Sequence, residues 1–206
     1  MMVYGYSIYS LFMMVAVISF LGFCLEDTWL SLTKGYIDNR NMNLPFLLGY
    51  GLLVVGIYII IGIPERIVFL GKPIFPKSKF RRYLLYFMCM MVIVSLGEIL
   101  LGTFVEKMFG FEYWNYTRIP MHITKYTSVP TSTGFSLIIT FFMDKCFEPI
   151  MRLIERISFC DIRRLSVLLM TLMVTDFFVC FRKMYRTRRL NVKYRKYIGE
   201  RNHQFN

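Results

Sequence analysis

Five apolar stretches, each near the length that crosses a bilayer, constrain this chain more than any other feature. They occupy residues 3–25, 44–63, 83–105, 129–147 and 165–181. A membrane helix needs about 20 mostly apolar residues to cross about 30 Å of hydrocarbon. The expectation is therefore an all-α, polytopic membrane protein of about five transmembrane helices. These helices fill a domain over residues 1–181, followed by a basic tail over 182–206. The fourth stretch is trimmed by Asp144 and Lys145, and the fifth is short and contains Asp176. Residues 3–25 lack the basic leader and small-residue cleavage pattern of a signal peptide, so a retained first helix is expected. Of the 206 residues, 56% are hydrophobic, which is more apolar mass than a soluble domain of this size carries.

The net charge of +12 sits outside the apolar runs. That places Lys and Arg beside lipid headgroups and makes the bilayer, not nucleic acid, the expected partner. The five cysteines show no CxxC spacing and read as small buried hydrophobes. Leu70-Gly71-Lys72-Pro73 lacks the rest of a phosphate-binding loop, and no HExxH pair occurs. His122 has no second ligand at a metal-binding spacing and reads as a loop histidine. No cofactor, no metal and no enzyme activity are expected.

The connections differ in character. Residues 26–43 are polar, and residues 64–82 read as an irregular basic loop with three prolines. Residues 106–128 are aromatic, with Tyr113, Trp114 and Tyr116 suited to headgroup level. In residues 152–164, Leu153, Ile154, Ile157 and Phe159 are expected to form the apolar side of an interfacial helix. If all five helices cross, connections with two and three basic residues join the nine of the tail on one side, 14 against 11. The positive-inside rule does not choose an orientation on so even a split.

A short pattern occurs twice. Gly22 to Glu26 and Gly102 to Glu106 are both Gly-x3-Glu. Each is followed by Pro-x3-Gly-aromatic, at Pro45 to Tyr50 and at Pro130 to Phe135. Either this is a parallel repeat of two-helix units, related by an axis along the membrane normal, or it is a coincidence of short patterns. A repeat would bring Glu26 and Glu106 to similar depth.

The carboxylates carry the candidate chemistry. Ser95, Glu98, Gly102 and Glu106 share one helix face, as do Ser19, Gly22 and Glu26. Small residues on such a face let a neighbouring backbone approach closely. Glu98 and Glu106 lie about 12 Å apart along the axis, so Glu106 reaches the interface and Glu98 lies inside. A charge near the bilayer centre costs roughly 2.5–3.5 kcal/mol on insertion scales. Glu98 must therefore face protein or water, paired or protonated. The candidate polar site comprises Glu26, Glu98 and Glu106, with Trp114, Asn115 and Tyr116 beside Glu106. It is either part of a path for an ion, proton or substrate, or a set of bonds between helices. For Glu26 and Glu106, at helix ends, the structural reading is the stronger. Asp176 is expected to pair locally with Arg182 or Lys183.

These residues carry a resemblance. Gly22, Phe23, Glu26, Asn39, Arg40, Pro45, Phe46, Tyr50 and Gly51 resemble the first half of the CmpB-like, type IV ABC-transporter family of membrane proteins. Glu98, Gly102, Glu106, Trp114, Asn115 and Tyr116 resemble its second half, and Asp176-Phe177 with Arg189 to Asn191 resemble its end. The chain departs from the family pattern at Phe23, Thr103, Asn41 and Ser128-Val129-Pro130. The resemblance implies a multi-pass permease subunit of a cell membrane without its own ATPase. A separate ATPase subunit and a homo-oligomer are the implied partners, and residues 152–164 could dock the ATPase if they are cytoplasmic. The alternative is a membrane scaffold or regulatory subunit that transports nothing.

Overall fold

The computed structural model describes residues 2–69, 72–74 and 78–198. Residues 70, 71 and 75–77 of the second connection, and Gly199 to Asn206 of the tail with Glu200 and Arg201, lie outside them. In chain order the elements begin with β1 (Met2–Val3), β2 (Tyr6–Ser7), α1 (Ile8–Lys34), β3 (Tyr36–Asp38) and α2 (Leu48–Ile61). Next come β4 (Gly62–Ile63), β5 (Arg66–Phe69), β6 (Lys72–Pro73) and α3 (Lys79–Phe109). The chain continues through β7 (His122–Thr124), β8 (Thr127–Ser128), α4 (Val129–Phe141), a π-helical segment (Phe142–Cys146) and α5 (Phe147–Ile154). It closes with α6 (Phe159–Thr187) and β9 (Arg195–Tyr197).

Helices α1, α3 and α6 are long and apolar enough to cross a membrane, and α2 is apolar but has only 14 residues. The exposed sides of α3 and α6 carry Leu96, Leu100, Phe104, Leu168, Phe178 and Val179, as expected of surfaces in contact with lipid tails. This is a membrane protein. Each long helix extends past its apolar run and ends at a residue in the left-handed conformation. Ser7 caps α1 by accepting from the Ser10 amide, and Gly35, at φ 70°, closes its C-terminus. Gly110, at φ 76°, closes α3, in the left-handed conformation that glycine adopts at least cost.

The chain divides into two compact units, Met1–Val55 with Ile157–Asn206, and Gly56–Arg156. In the first unit α1 packs along α6. Tyr9 meets Phe159 edge-to-face near the two helix starts. Beyond the two helix ends, β3 pairs antiparallel with β9, so α1 and α6 run in the same direction. Asp176, expected to pair with Arg182 or Lys183, instead accepts from the backbone amides of Asn43 at 3.0 Å and Leu44 at 2.9 Å, and from the Asn43 side chain at 2.6 Å. Two adjacent backbone amides of the first connection, fixed in place by the chain, compete for this carboxylate more effectively than flexible cations do. Asn191 completes the clamp. Its side chain donates to the Asn41 carbonyl at 3.1 Å and accepts from Lys183, while its carbonyl accepts from Asn39.

In the second unit α3 packs against α4. The helical rod from Val129 to Ile154 is continuous, but Pro149 lies within it. Proline has no N–H and its ring crowds the carbonyl four residues earlier, which accounts for the π-helical turn ending at Cys146. The expected interfacial helix is not found as read. The four residues do not share one helix: Leu153 and Ile154 end α5, Ile157 lies in the turn that follows and Phe159 opens α6, and Ile154 is buried beside Phe147 and Met151 of α5. The basic connection is not wholly irregular, since β4, β5 and β6 form a three-stranded antiparallel sheet. Of the cysteines only Cys180 is buried; Cys24 and Cys160 are exposed and Cys89 and Cys146 intermediate, all as free thiols.

Candidate functional site

Both Gly-x3-Glu sequences build the same local device. In the first unit, Gly22 of α1 lies under the ring of Tyr50 from α2: a methyl placed there would meet the ring Cγ at 2.8 Å. The Tyr50 hydroxyl reaches forward to donate to Glu26, four residues on. Arg40 bonds the other Glu26 oxygen at 2.8 Å. In the second unit, Gly102 of α3 lies under the ring of Tyr126, where a methyl would overlap that ring. The Tyr126 hydroxyl donates to Glu106 at 2.6 Å and Lys125 bonds Glu106 at 2.5 Å. Each device therefore has a glycine to admit a ring, a phenol to reach a carboxylate, and a cation to neutralise it. The Pro-x3-Gly-aromatic correspondence does not carry this likeness, because the partner of Tyr50 in function is Tyr126 and not Phe135.

The predicted faces hold. Ser19, Gly22 and Glu26 all meet the start of α2: the Ser19 carbonyl accepts from Leu47 at 3.0 Å, and a methyl on Gly51 would strike the Ser19 hydroxyl. Ser95, Glu98, Gly102 and Glu106 all meet α4 or the residues just before it. Five of the six predicted site residues, Glu98, Glu106, Trp114, Asn115 and Tyr116, surround the turn at Lys125–Ser128. Trp114 donates its indole N–H to the Tyr126 carbonyl at 2.8 Å, and the Tyr116 amide donates to the Lys125 carbonyl at 2.8 Å. Asn115 donates to Glu112 at 2.7 Å. Glu112 in turn bonds Lys125 at 3.0 Å. Glu26, the sixth, belongs to the first unit.

The electrostatics of this turn follow from its bonds. The Asn115 amide, then Lys125, holds the Glu112 carboxyl below its ordinary range. Bonds to Glu106 and then Glu112 push the Lys125 ammonium up, and burial, then the bond to Glu106, pushes the Tyr126 phenol up. At neutral pH Lys125 is charged between two carboxylates.

Glu98 is different. It accepts from Thr127 at 2.6 Å and from Ser132 at 3.4 Å, and Ser95 donates to Ser132 at 3.0 Å. Among the described residues Glu98 forms no ion pair. Farther along the same side of α4, the hydroxyls of Ser136 and Thr140 are buried with no hydrogen-bond partner among the described residues. Ser132, Ser136 and Thr140 follow at spacings of four. Beyond them the π-helical turn sets Asp144 against the Tyr83 hydroxyl and Lys145. Unpartnered buried hydroxyls are costly, and such groups are where water is held in proteins.

No group of residues suited to hold a metal ion occurs among the described residues. His122 lies exposed in the third connection, with a ring nitrogen 3.3 Å from the Ile119 carbonyl. Sequence reasoning missed Tyr50, Lys125, Tyr126, Thr127 and Ser132 as partners of the carboxylates. The signal available was the loop tetrad Lys125-Tyr126-Thr127-Ser128, which is polar where the chain re-enters an apolar run.

A family model described as "Putative ABC-transporter type IV" matches residues 11–181. No curated protein and no solved structure matches the chain.

Proposed function

The chain belongs to the putative ABC-transporter type IV family, and from that premise we propose that it is a transport-related, multi-pass subunit of a cell membrane, without an ATPase of its own. The observation that carries the reading is Glu98. It is an intramembrane carboxylate bonded only to hydroxyls among the described residues, and it continues into the unpartnered Ser136 and Thr140. Intramembrane acids mark ion, proton or substrate routes by default. On this reading Glu98 is the polar site, while Glu26 and Glu106 fasten helix ends to the next helix. Trp114, Asn115 and Tyr116 hold the turn that presents Thr127 to Glu98. A separate ATPase subunit would supply the energy, and a homo-oligomer would enclose the path more fully than five helices do.

Five crossings are part of the proposal. The pairing of β3 with β9 sets the first connection beside the tail, so an even number of crossings separates them. Helices α3 and α6 supply two. Helix α2 and the Val129–Ile154 rod must then both cross or both fail to. The rod is about 39 Å long, which is enough to cross, and α2 follows as the shortest span. Each unit would then carry one copy of a parallel repeat, marked by the glycine–tyrosine–glutamate device.

A second reading has its own support. Every carboxylate of the two devices is bonded to a phenol and a cation, which is what a non-transporting scaffold needs. Proton or cation flux in proteoliposomes, for the intact protein and Glu98→Gln, separates the two. Flux lost in a variant that still melts normally supports the path. No flux in either form, with earlier melting of the variant, favours the scaffold. No flux with unchanged melting would turn the search to a co-purifying ATPase.

A further inference from the structure

We infer that the first unit carries a binding site for an anionic phospholipid at the paired starts of α1 and α6. A groove of about 550 Å³ opens there, lined by Tyr9, Arg163, Arg164, Val167, Leu168 and Thr171. Its chemistry is divided along its length. Arg163 and Arg164 lie in the second turn of α6, and neither forms an ion pair among the described residues. The nearest acid on the helix, Asp161, is engaged with the capping hydroxyl of Ser158 at 2.6 Å. Arg163 lies over the Tyr9 ring at 5.8 Å, and Tyr9 is braced by Phe159. This stacking holds the guanidinium at the mouth and leaves its N–H groups for another acceptor.

Below the arginines the lining turns apolar. Val167 and Leu168 are about half exposed, and Thr171, eight residues past Arg163, lies about 12 Å deeper. The Thr171 hydroxyl is turned back onto the Val167 carbonyl at 2.8 Å, so it presents no polar group that an acyl chain must desolvate. Two uncommitted guanidiniums at headgroup level above an apolar trough match a phosphate with an acyl chain attached. A free inorganic anion would use the mouth and leave the trough unfilled.

Native mass spectrometry of the full chain in detergent tests this, with phosphatidylglycerol and phosphatidylcholine titrated separately. The intact protein should retain phosphatidylglycerol in clear excess. A basic residue near an anionic lipid contributes about fivefold in affinity, so Arg163→Gln with Arg164→Gln should weaken phosphatidylglycerol binding about twenty-five-fold and leave phosphatidylcholine unchanged. Leu168→Trp, which fills the trough and keeps both charges, should lower phosphatidylglycerol retention severalfold, and it serves alone if the double variant does not fold. Equal retention of the two lipids by the intact protein would overturn the site. So would a loss of the same size from Arg81→Gln with Arg82→Gln, which would reduce the effect to general surface charge. Full displacement of the lipid by inorganic phosphate would assign the mouth to a soluble anion instead, and would overturn the lipid site too.

Discussion

The two glycine–tyrosine–glutamate devices agree in chemistry and differ in backbone. Tyr50 comes from inside α2, whereas Tyr126 comes from the turn that precedes α4. The cation is Arg40 in one and Lys125 in the other. What is held constant is a ring on a glycine and a phenol on the carboxylate one helical turn later. The larger difference lies deeper. Eight residues before Glu106 stands Glu98, and eight before Glu26 stands Ile18, which is buried in the apolar core. The first unit thus has the fastening without an acid deeper on the same face of its helix. Its own buried acid, Asp176, is given to backbone amides of the first connection. Fastening and intramembrane carboxylate are separable: in the second unit one helix, α3, carries both, whereas in the first the fastening is on α1 and the buried acid on α6.

Several changes would break or sharpen that comparison. The largest effect is expected at Asp176→Ala, which leaves the Asn43 and Leu44 amides without their acceptor. Hydrogen bonds to charged groups contribute about 1.5–3 kcal/mol each, so a loss of about 3 kcal/mol or more should appear in thermal melts in detergent. Asp176→Asn, which keeps one acceptor oxygen, should lose clearly less. Next come Gly22→Ala and Gly102→Ala, whose new methyls press on tyrosine rings. Overpacking costs about 1–3 kcal/mol, and similar losses at both sites would establish the devices as equivalent. Losses at one site only would break the equivalence. Tyr50→Phe and Tyr126→Phe keep the rings and remove the phenols, and should each cost about 1 kcal/mol by the same melt.

The smallest effect is one of pH. The folded-state carboxyl of Glu112 titrates below its unfolded value. Its contribution is therefore present at neutral pH, and it is lost as pH falls below about 4.5 toward the lower folded value. Melts of Glu112→Gln and the intact protein should differ slightly at pH 7 and converge in acid. A gap that widens in acid would contradict the sign.

Much of this was legible in the residues. Long apolar runs placed the three long helices, because crossing a bilayer demands length and hydropathy together. Spacings of three and four put Ser95, Glu98, Gly102 and Glu106 on one face, and that face is where α3 meets its partners. The partners themselves were not legible. Tyr126 and Lys125 sit in a turn, and turns carry no periodicity from which to read direction. Asp176 bonds backbone amides, which every residue possesses and no sequence distinguishes. The cysteines were misread because an apolar surrounding in sequence can mean lipid as well as core, and Cys24 and Cys160 are exposed. Pro149 was a readable signal for the π-helical turn, one that only counting back four residues to Lys145 reveals.

The most direct test sets the three glutamates side by side as Gln variants in one proteoliposome flux experiment, each with its own melting curve. Glu98→Gln should lose proton or cation flux while melting near the intact protein. Glu26→Gln and Glu106→Gln should melt earlier and still conduct once folded. Flux that survives in Glu98→Gln, or a Glu98→Gln variant that melts as early as the other two, would contradict the assignment of Glu98 to a path and return it to the bonds between helices.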